Sequence, residues 1–333
     1  MNDLSKIPFS VLDLSPVVEN STPAESFRNT LDLAQRVEAF GFNRFWVAEH
    51  HNMPGIASAA TSVVIGRVAA GTSTIRVGAG GIMLPNHAPL VIAEQFGTLE
   101  SLFPGRIDLG LGRAPGSDRS TARALRRTLL TDGDDFPELL EELRFFFKAP
   151  VEGQKVQAVP GAGLEVPIWL LGSSGFSAQL AGKLGLPFSF AAHFSPENTL
   201  PALDLYRNNF VPSEDLRAPY VMVALNVFAA DTTVEALKLA TSQHQSFLSL
   251  IRGKPGKIKP PVDDMNAVWS PEEKLMVDSR LGGSVIGDHK VVKQSLEAFV
   301  ERTKADELMI NGIFYDHPAR RRSYEIVAEV WKN

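Results

Sequence analysis

Eight short runs rich in β-branched, aromatic and leucine residues recur along the 333-residue chain, and between them lie segments of helical character. They fall at residues 7–12 (IPFSVL), 43–48 (NRFWVA), 75–80 (IRVGAG), 106–111 (RIDLGL), 166–171 (VPIWLL), 188–192 (FSFAA), 220–228 (YVMVALNVF) and 307–312 (ELMING). Phe27, Leu31, Ala34 and Val37 keep helical spacing and Gly41 closes that segment; Leu139, Leu140, Leu143, Phe146 and Phe147 do the same after Pro137. Strands that alternate with helices pair in parallel through right-handed crossovers. Eight such units are the number that closes into a (β/α)8 barrel, with an open doubly wound sheet as the alternative. The spacing stretches after the fourth run and again between the seventh and eighth, which marks two insertions. Within the second, residues 252–270 (RGKPGKIKPPVDDMNAVWS) hold too few apolar residues and too many Pro and Lys for a core element, and predict a mobile loop or lid.

A hydrophobic content of 44% lets a chain of this length bury a large core as a single domain spanning residues 1–333. The net charge of -5 and a pI near 5.9 argue against a nucleic-acid partner, because phosphate-backbone binding needs a basic face. The clusters Arg123, Arg126, Arg127 and Arg320, Arg321, Arg322 sit in helix-compatible sequence with acids nearby and read as solvated helix faces. The chain has no cysteine, which excludes disulfides, thiolate metal sites and cysteine nucleophiles. The start, Met-Asn-Asp-Leu-Ser-Lys, lacks an apolar signal core, and no run approaches the ~20 apolar residues of a bilayer span. A cytoplasmic protein without membrane contact is expected.

Chemistry concentrates where the runs end. The second leads straight into Glu49-His50-His51, and in α/β folds the carboxyl ends of strands carry the active site. Two histidines and a carboxylate could bind zinc or iron. Successive strand residues face opposite ways, however, so Trp46, Ala48 and His50 share one face and Val47, Glu49 and His51 the other. His87, His193, His244, His289 and His317 are scattered and offer no obvious companion, so no metal ligand set is expected. Proton transfer suits His50, since an imidazole of pKa ~6.5 titrates near working pH; a loop histidine that merely satisfies backbone groups is the plain alternative.

Three further strand ends point to the same mouth. Gly78-Ala79-Gly80-Gly81 would let a flat ligand lie against the backbone. Gly110-Leu-Gly112-Arg113-Ala-Pro115-Gly116 fails the dinucleotide template at Pro115, yet Arg113 could grip a phosphate or carboxylate. Gly172-Ser173-Ser174-Gly175-Phe176-Ser177 fails the serine-hydrolase elbow at Phe176, and opens a helix either as an anion site or as an ordinary N-cap. Convergence of these four ends outweighs any one of them.

Specific blocks carry a resemblance. They are Phe45-Trp-Val-Ala-Glu-His-His51, Ile75-Arg-Val-Gly-Ala-Gly-Gly-Ile-Met-Leu-Pro85, Pro104-Gly-Arg-Ile-Asp-Leu-Gly-Leu-Gly-Arg113 and Pro167-Ile-Trp-Leu-Leu-Gly-Ser-Ser-Gly-Phe-Ser177, followed by Gly185-Leu-Pro187. In this order they resemble the bacterial luciferase-like family of flavin-dependent monooxygenases, TIM-type barrels whose relatives include deazaflavin (F420) oxidoreductases. The nearest subgroup is the single-chain bacterial proteins known only as luciferase-like monooxygenases. The resemblance implies reduced FMN delivered by a separate flavin reductase, O2 as co-substrate, a small apolar organic substrate and a homodimer. His50 matches the family's acid/base histidine, with Glu49 and His51 as its neighbours. Arg113 matches the arginine on the flavin phosphate, and Ser174 and Ser177, in one turn with Ser173 and Gly175, match hydroxyl residues there. Gly80-Gly81, next to Ala79, matches a non-proline cis peptide beneath the flavin ring. Phe9, Trp46 and His193 are candidate wall residues. Gly112 stands where luciferase has a reactive cysteine, and Ser173 where it has glutamate, so light emission does not carry over. An F420-dependent oxidoreductase, a metal-dependent barrel hydrolase and a non-catalytic flavin-binding protein remain as alternatives.

Overall fold

The computed structural model describes residues 4–113, 119–125 and 133–332. Its strands are β1 (Phe9–Asp13), β2 (Arg44–Val47), β3 (Arg76–Met83), β4 (Ile107–Gly112), β5 (Ile168–Gly172), β6 (Phe188–Phe190), β7 (Val221–Ala229), β8 (Val285–Gly287) and β9 (Glu307–Asn311). All of their pairings are parallel. The order β6-β5-β4-β3-β2-β1-β9-β7 closes on itself through β6 and β7, so eight strands form a barrel and the open sheet is excluded. The helices are α1 (Pro23–Ala39), α2 (Thr61–Ala70), α3 (Pro89–Leu102), α4 (Arg119–Ala124), α5 (Phe136–Phe147), α6 (Gly175–Leu184), α7 (Thr199–Asn208), α8 (Thr233–Ile251), α9 (Pro271–Leu281), α10 (His289–Thr303) and α11 (His317–Lys332). Local chemistry sets their starts: Thr22 caps α1 by accepting from the Glu25 amide with Pro23 at the first position, and Ser270 and Glu273 form a reciprocal capping box on α9.

Strand alternation sorts the barrel's side chains. Outward residues such as Phe9, Val11, Phe45, Val47, Val77, Ala79 and Leu109 join the helices in the main core. Inward residues stack in layers. At the amino ends lies a polar layer in which Arg44 reaches Asp108 at 2.7 Å and Glu307 at 3.1 Å, Arg76 reaches Asp108 at 2.6 Å, and the Tyr220 hydroxyl donates to Glu307 at 2.9 Å. Above it sit Leu12, Trp46, Trp169, Met222, Ala224 and Met309, with the two indoles edge to face at 5.3 Å. β3 must present glycine here, since a Cβ on Gly78 would lie 2.5 Å from the Asp108 carbonyl oxygen and 2.9 Å from Trp46 Nε1. The third layer is open and, with Leu12 and Ala224 from the layer beneath, forms the floor of a cavity.

The second insertion, between β7 and β9, contains α8, α9, β8 and α10. Strand β8 escaped the sequence reading because three residues, Val285-Ile286-Gly287, carry no alternation signal. It pairs with the carboxyl end of β7 (Val227 with Val285), past the stretch that β9 uses. Residues 252–270 run across the barrel mouth and are tied down there. Ile258 bridges to Val18, with Glu19 N donating to Ile258 O at 2.8 Å and Ile258 N to Val17 O at 2.9 Å.

One basic cluster departs from expectation. Arg320 is buried, not solvated, and donates to Asp13 Oδ1 at 2.8 Å, which fastens α11 to the end of β1. The i, i+1 run of arginines hid this, because only one of three successive helix positions faces the barrel. Arg321 and Arg322 stay partly exposed and Arg123 exposed, whereas Arg126 and Arg127 lie outside the described residues.

Candidate active site

Inward side chains at the carboxyl ends of the barrel strands line a cavity of about 810 Å3, within the ~300–1,000 Å3 usual for small-molecule sites. Leu12, Gly80, Gly112, Leu171, Ser189, Ala224 and Asn311 make its floor, and Gln243, Phe247 and Leu250 on one face of α8 with Ile258, Met276 and Arg280 make its roof. The roof residues went unread in the sequence, since their helical spacing is that of any amphipathic helix.

His50 and His193 face this cavity from the ends of β2 and β6, four strands apart in the ring and hence across the mouth. Burial lowers the pKa of His50; the Glu49 charge raises it in part and His51 lowers it further. Burial and the nearby His50 push His193 down to about 4, against the pull of the Ala224 carbonyl. Its Nδ1 is buried and makes no hydrogen bond among the described residues. The His193 carbonyl accepts from Asn226 Nδ2 at 2.6 Å, and Asn226 Oδ1 accepts from Asn311 Nδ2 at 3.0 Å, which pins the residue across β6, β7 and β9.

Glu49 and His51 do not line the cavity. Glu49 is 1% exposed and accepts from His51 Nε2 at 2.8 Å, His87 Nε2 at 3.0 Å, Asn86 Nδ2 at 3.3 Å and the Met83 amide at 3.1 Å. Burial opposes ionisation, but the His87, His51 and Met83 donors outweigh it and hold the carboxyl below its usual range. The expectation that no other histidine accompanies this pair is therefore corrected. A helical turn at Leu84–Asn86 after β3 carries His87 back over Glu49, and the ligand atoms of Glu49, His51 and His87 lie within 4.8 Å of one another. Direct N–H donation accounts for each contact.

At another wall, Arg113 after β4 and Ser173, Ser174 and Ser177 after β5 line the same cavity. The Arg113 guanidinium lies over the Phe176 ring at 4.3 Å, and Ser174 occupies the N-cap of α6 without spending its side chain on a cap bond. That leaves its hydroxyl and the first-turn amides for an anion. Gly80 and Gly81 lie on the floor and the peptide between them is cis. Packing contributes to their being glycine, since a Cβ on Gly81 would sit 2.7 Å from the Gly110 carbonyl. Three expected wall or binding positions lie elsewhere. Ala79 and Phe9 point outward into the core by strand alternation, with Phe9 stacked on Trp331 at 5.3 Å, and Trp46 sits one layer too deep, its indole donating to Asp108 at 3.1 Å. Gly175 starts α6 but is not a lining residue. A cavity with a wall of one arginine and three serines, a glycine floor and apolar sides has the chemistry to take a flat ring bearing a phosphate.

Residues 7–307 match the model of the family described as luciferase-like monooxygenase. The chain belongs to the luciferase-like monooxygenases. It is 62% identical to the uncharacterized protein YvbT of Bacillus subtilis over 97% of this chain and 96% of that one, and 53% identical to a luciferase-like monooxygenase of Escherichia coli K12 over 97% of each. A Bacillus subtilis N-acetyl-S-alkylcysteine monooxygenase is 31% identical over 97% of this chain and 98% of its own length. Among solved structures, apo-MsnO8 superposes with a TM-score of 0.86 at 34% identity, covering 98% of both chains. The fold also recurs at 17% identity and TM-score 0.74 in an FMN complex of a Baeyer-Villiger monooxygenase component from Pseudomonas putida, over 97% of both chains. It recurs again at 15% identity and TM-score 0.72 in an F420-dependent alcohol dehydrogenase, over 98% of this chain and 100% of that one. Among the described residues no helix of this luciferase-like protein is long and apolar enough to cross a membrane.

Proposed function

We propose that the protein is a monooxygenase that binds reduced FMN supplied by a separate flavin reductase, consumes O2 and oxygenates a small organic substrate. The observation that carries this reading is the joining of the Arg113–Ser173–Ser174–Ser177 wall to the His50–His193 pair in one cavity. When bound, reduced FMN supplies the electrons that activate O2. The chain's own residues do the rest. Arg113 and the serines hold the phosphate. His50, neutral because buried, holds or accepts a proton at the cavity wall, and His51 and Glu49 set its charge environment from behind. Leu14, Met53, Ile56 and Phe247 receive the apolar part of the substrate, and residues 252–270 act as a lid that keeps water out. The N-acetyl-S-alkylcysteine monooxygenase supports oxygenation over hydride transfer, because it is related along nearly its whole length. A homodimer completes the reading, and sedimentation would test it.

The deciding experiment is an anaerobic titration with FMNH2 and, separately, with reduced F420, followed by admission of O2 in the presence of N-acetyl-S-alkylcysteines as trial substrates. Saturable FMNH2 binding with oxygen-dependent consumption of the thioether is expected. No binding of FMNH2 would sink the proposal, binding of reduced F420 alone would move the protein to hydride transfer, and activity that tracks stoichiometric zinc would make it a metal-dependent hydrolase.

A further inference from the structure

The insertion between β7 and β9 brings a second guanidinium to the cavity, that of Arg280 in the last turn of α9. The fold itself makes little use of this charge. Its ion pair with Glu197 spans 3.8 Å and both side chains are about half exposed, at 51% and 52%. Pairs that loose and that wet add almost nothing to stability. Arg252, in the same insertion, instead grips Glu273 through two hydrogen bonds of 2.7 Å. Helix α9 is held by Val277 and Leu281 packed on Leu248, without help from Arg280.

Glu197 places Arg280 at the anion-binding end. The Glu197 Oε1 atom that faces Arg280 also accepts from Ser195 Oγ at 3.4 Å, and the same hydroxyl lies 3.0 Å from the Ser173 carbonyl. Three contacts thus lead from Arg280 to the Ser173–Ser174 turn. Among the described residues that line the cavity there are two arginines and no aspartate or glutamate, in a chain of net charge -5. One arginine comes from the barrel and the other from its roof.

We propose that Arg280 is a second cation for the terminal phosphate of the cofactor, which it meets by exchanging Glu197 for that phosphate, and that this exchange fastens the α8–α9 roof over the filled cavity. The inference rests on the flavin reading above. A terminal monoester carries close to two negative charges at neutral pH and matches a guanidinium fork, so two arginines suit FMN better than riboflavin, which has no phosphate.

The test is equilibrium binding of oxidised FMN and of riboflavin to the apoprotein by flavin fluorescence, in the unaltered chain and in the variants Arg280→Gln, Arg280→Lys and Glu197→Gln. Arg280→Gln should weaken FMN about two- to fivefold, the upper part of the scale of one partly exposed charge contact. It should leave riboflavin unchanged. Arg280→Lys should recover part of the loss, and Glu197→Gln should tighten FMN by removing the competing anion. FMN should also slow proteolysis within residues 252–281 of the unaltered protein and do so less in Arg280→Gln. Unchanged FMN affinity in Arg280→Gln, or equal weakening of FMN and riboflavin, would overturn the proposal. If the unaltered protein bound no FMN, the flavin reading would fail and this inference with it; Arg280→Gln failing alone leaves that reading standing.

Discussion

Glu49 accepts a 2.8 Å hydrogen bond from His51 Nε2, while His50, the residue between them, turns the other way to line the cavity. The alternation of a strand continued past its last hydrogen bond separates a buried anion from the imidazole it influences. His50 therefore feels the Glu49 charge without touching it, and that charge raises a pKa that burial has lowered.

This arrangement has a pH signature. With neutral His50 as the reactive form of the proposed function, kcat/KM should hold as pH falls through the ordinary imidazole value of 6.5 and decline only below it. Glu49→Gln removes the charge that lifts His50, and should move this acid limb to still lower pH. A limb that stays at its original pH in the variant would refute the coupling.

Binding and chemistry should separate by residue. His50→Ala is expected to leave FMN affinity within about twofold and to slow oxygenation by on the order of 100-fold, the usual loss of a general acid–base group. Arg113→Ala should weaken FMN at least tenfold, since it would remove the charge-assisted phosphate contact of the proposed function. Fluorescence titration and single-turnover rates measure the two effects, and equal losses of affinity in both variants would contradict the division.

His193 should make the fold acid-sensitive. Its folded pKa is about 4, against an ordinary 6.5, so below the ordinary value the unfolded chain binds a proton that the folded chain refuses. The stability it contributes is fully present above pH 6.5 and is lost as pH falls toward about 4. His193→Phe removes this linkage and should lose less stability over that window, by on the order of 3 kcal/mol, in urea unfolding at a series of pH values.

The polar layer at the foot of the barrel should be the costliest place to break. Arg44 is 13% exposed and bridges Asp108 and Glu307, so Arg44→Met leaves buried Glu307 without a cation and Asp108 with Arg76 alone, and should cost about 3–5 kcal/mol in denaturant unfolding. Loss of less than about 1 kcal/mol would show that Arg76 and Tyr220 suffice to hold both acids.

Much of this was legible in the sequence because periodicity and strand ends are local. The eight runs, the two insertions and the clustering of His50, Arg113, Ser173, Ser174 and Ser177 all follow from patterns a few residues long. Alternation also predicted the pairing of Glu49 with His51 and not with His50. The misreadings share a cause. Ala79, Phe9 and Trp46 were placed by proximity to a strand end, whereas facing and depth in the barrel decide whether a side chain reaches the mouth. Arg320 looked like its exposed neighbours until the direction of α11 was known.

The sequence by itself determined the family, the barrel and the residues at four strand ends, because hydrophobic period and motif spacing are written along the chain. Only the tertiary structure brought His87 onto Glu49, set His193 across from His50 and carried Arg280 to the Ser173 turn. Those arrangements bring together residues 38, 143 and 107 positions apart. No local pattern encodes them; barrel closure and the folding back of the insertion create them.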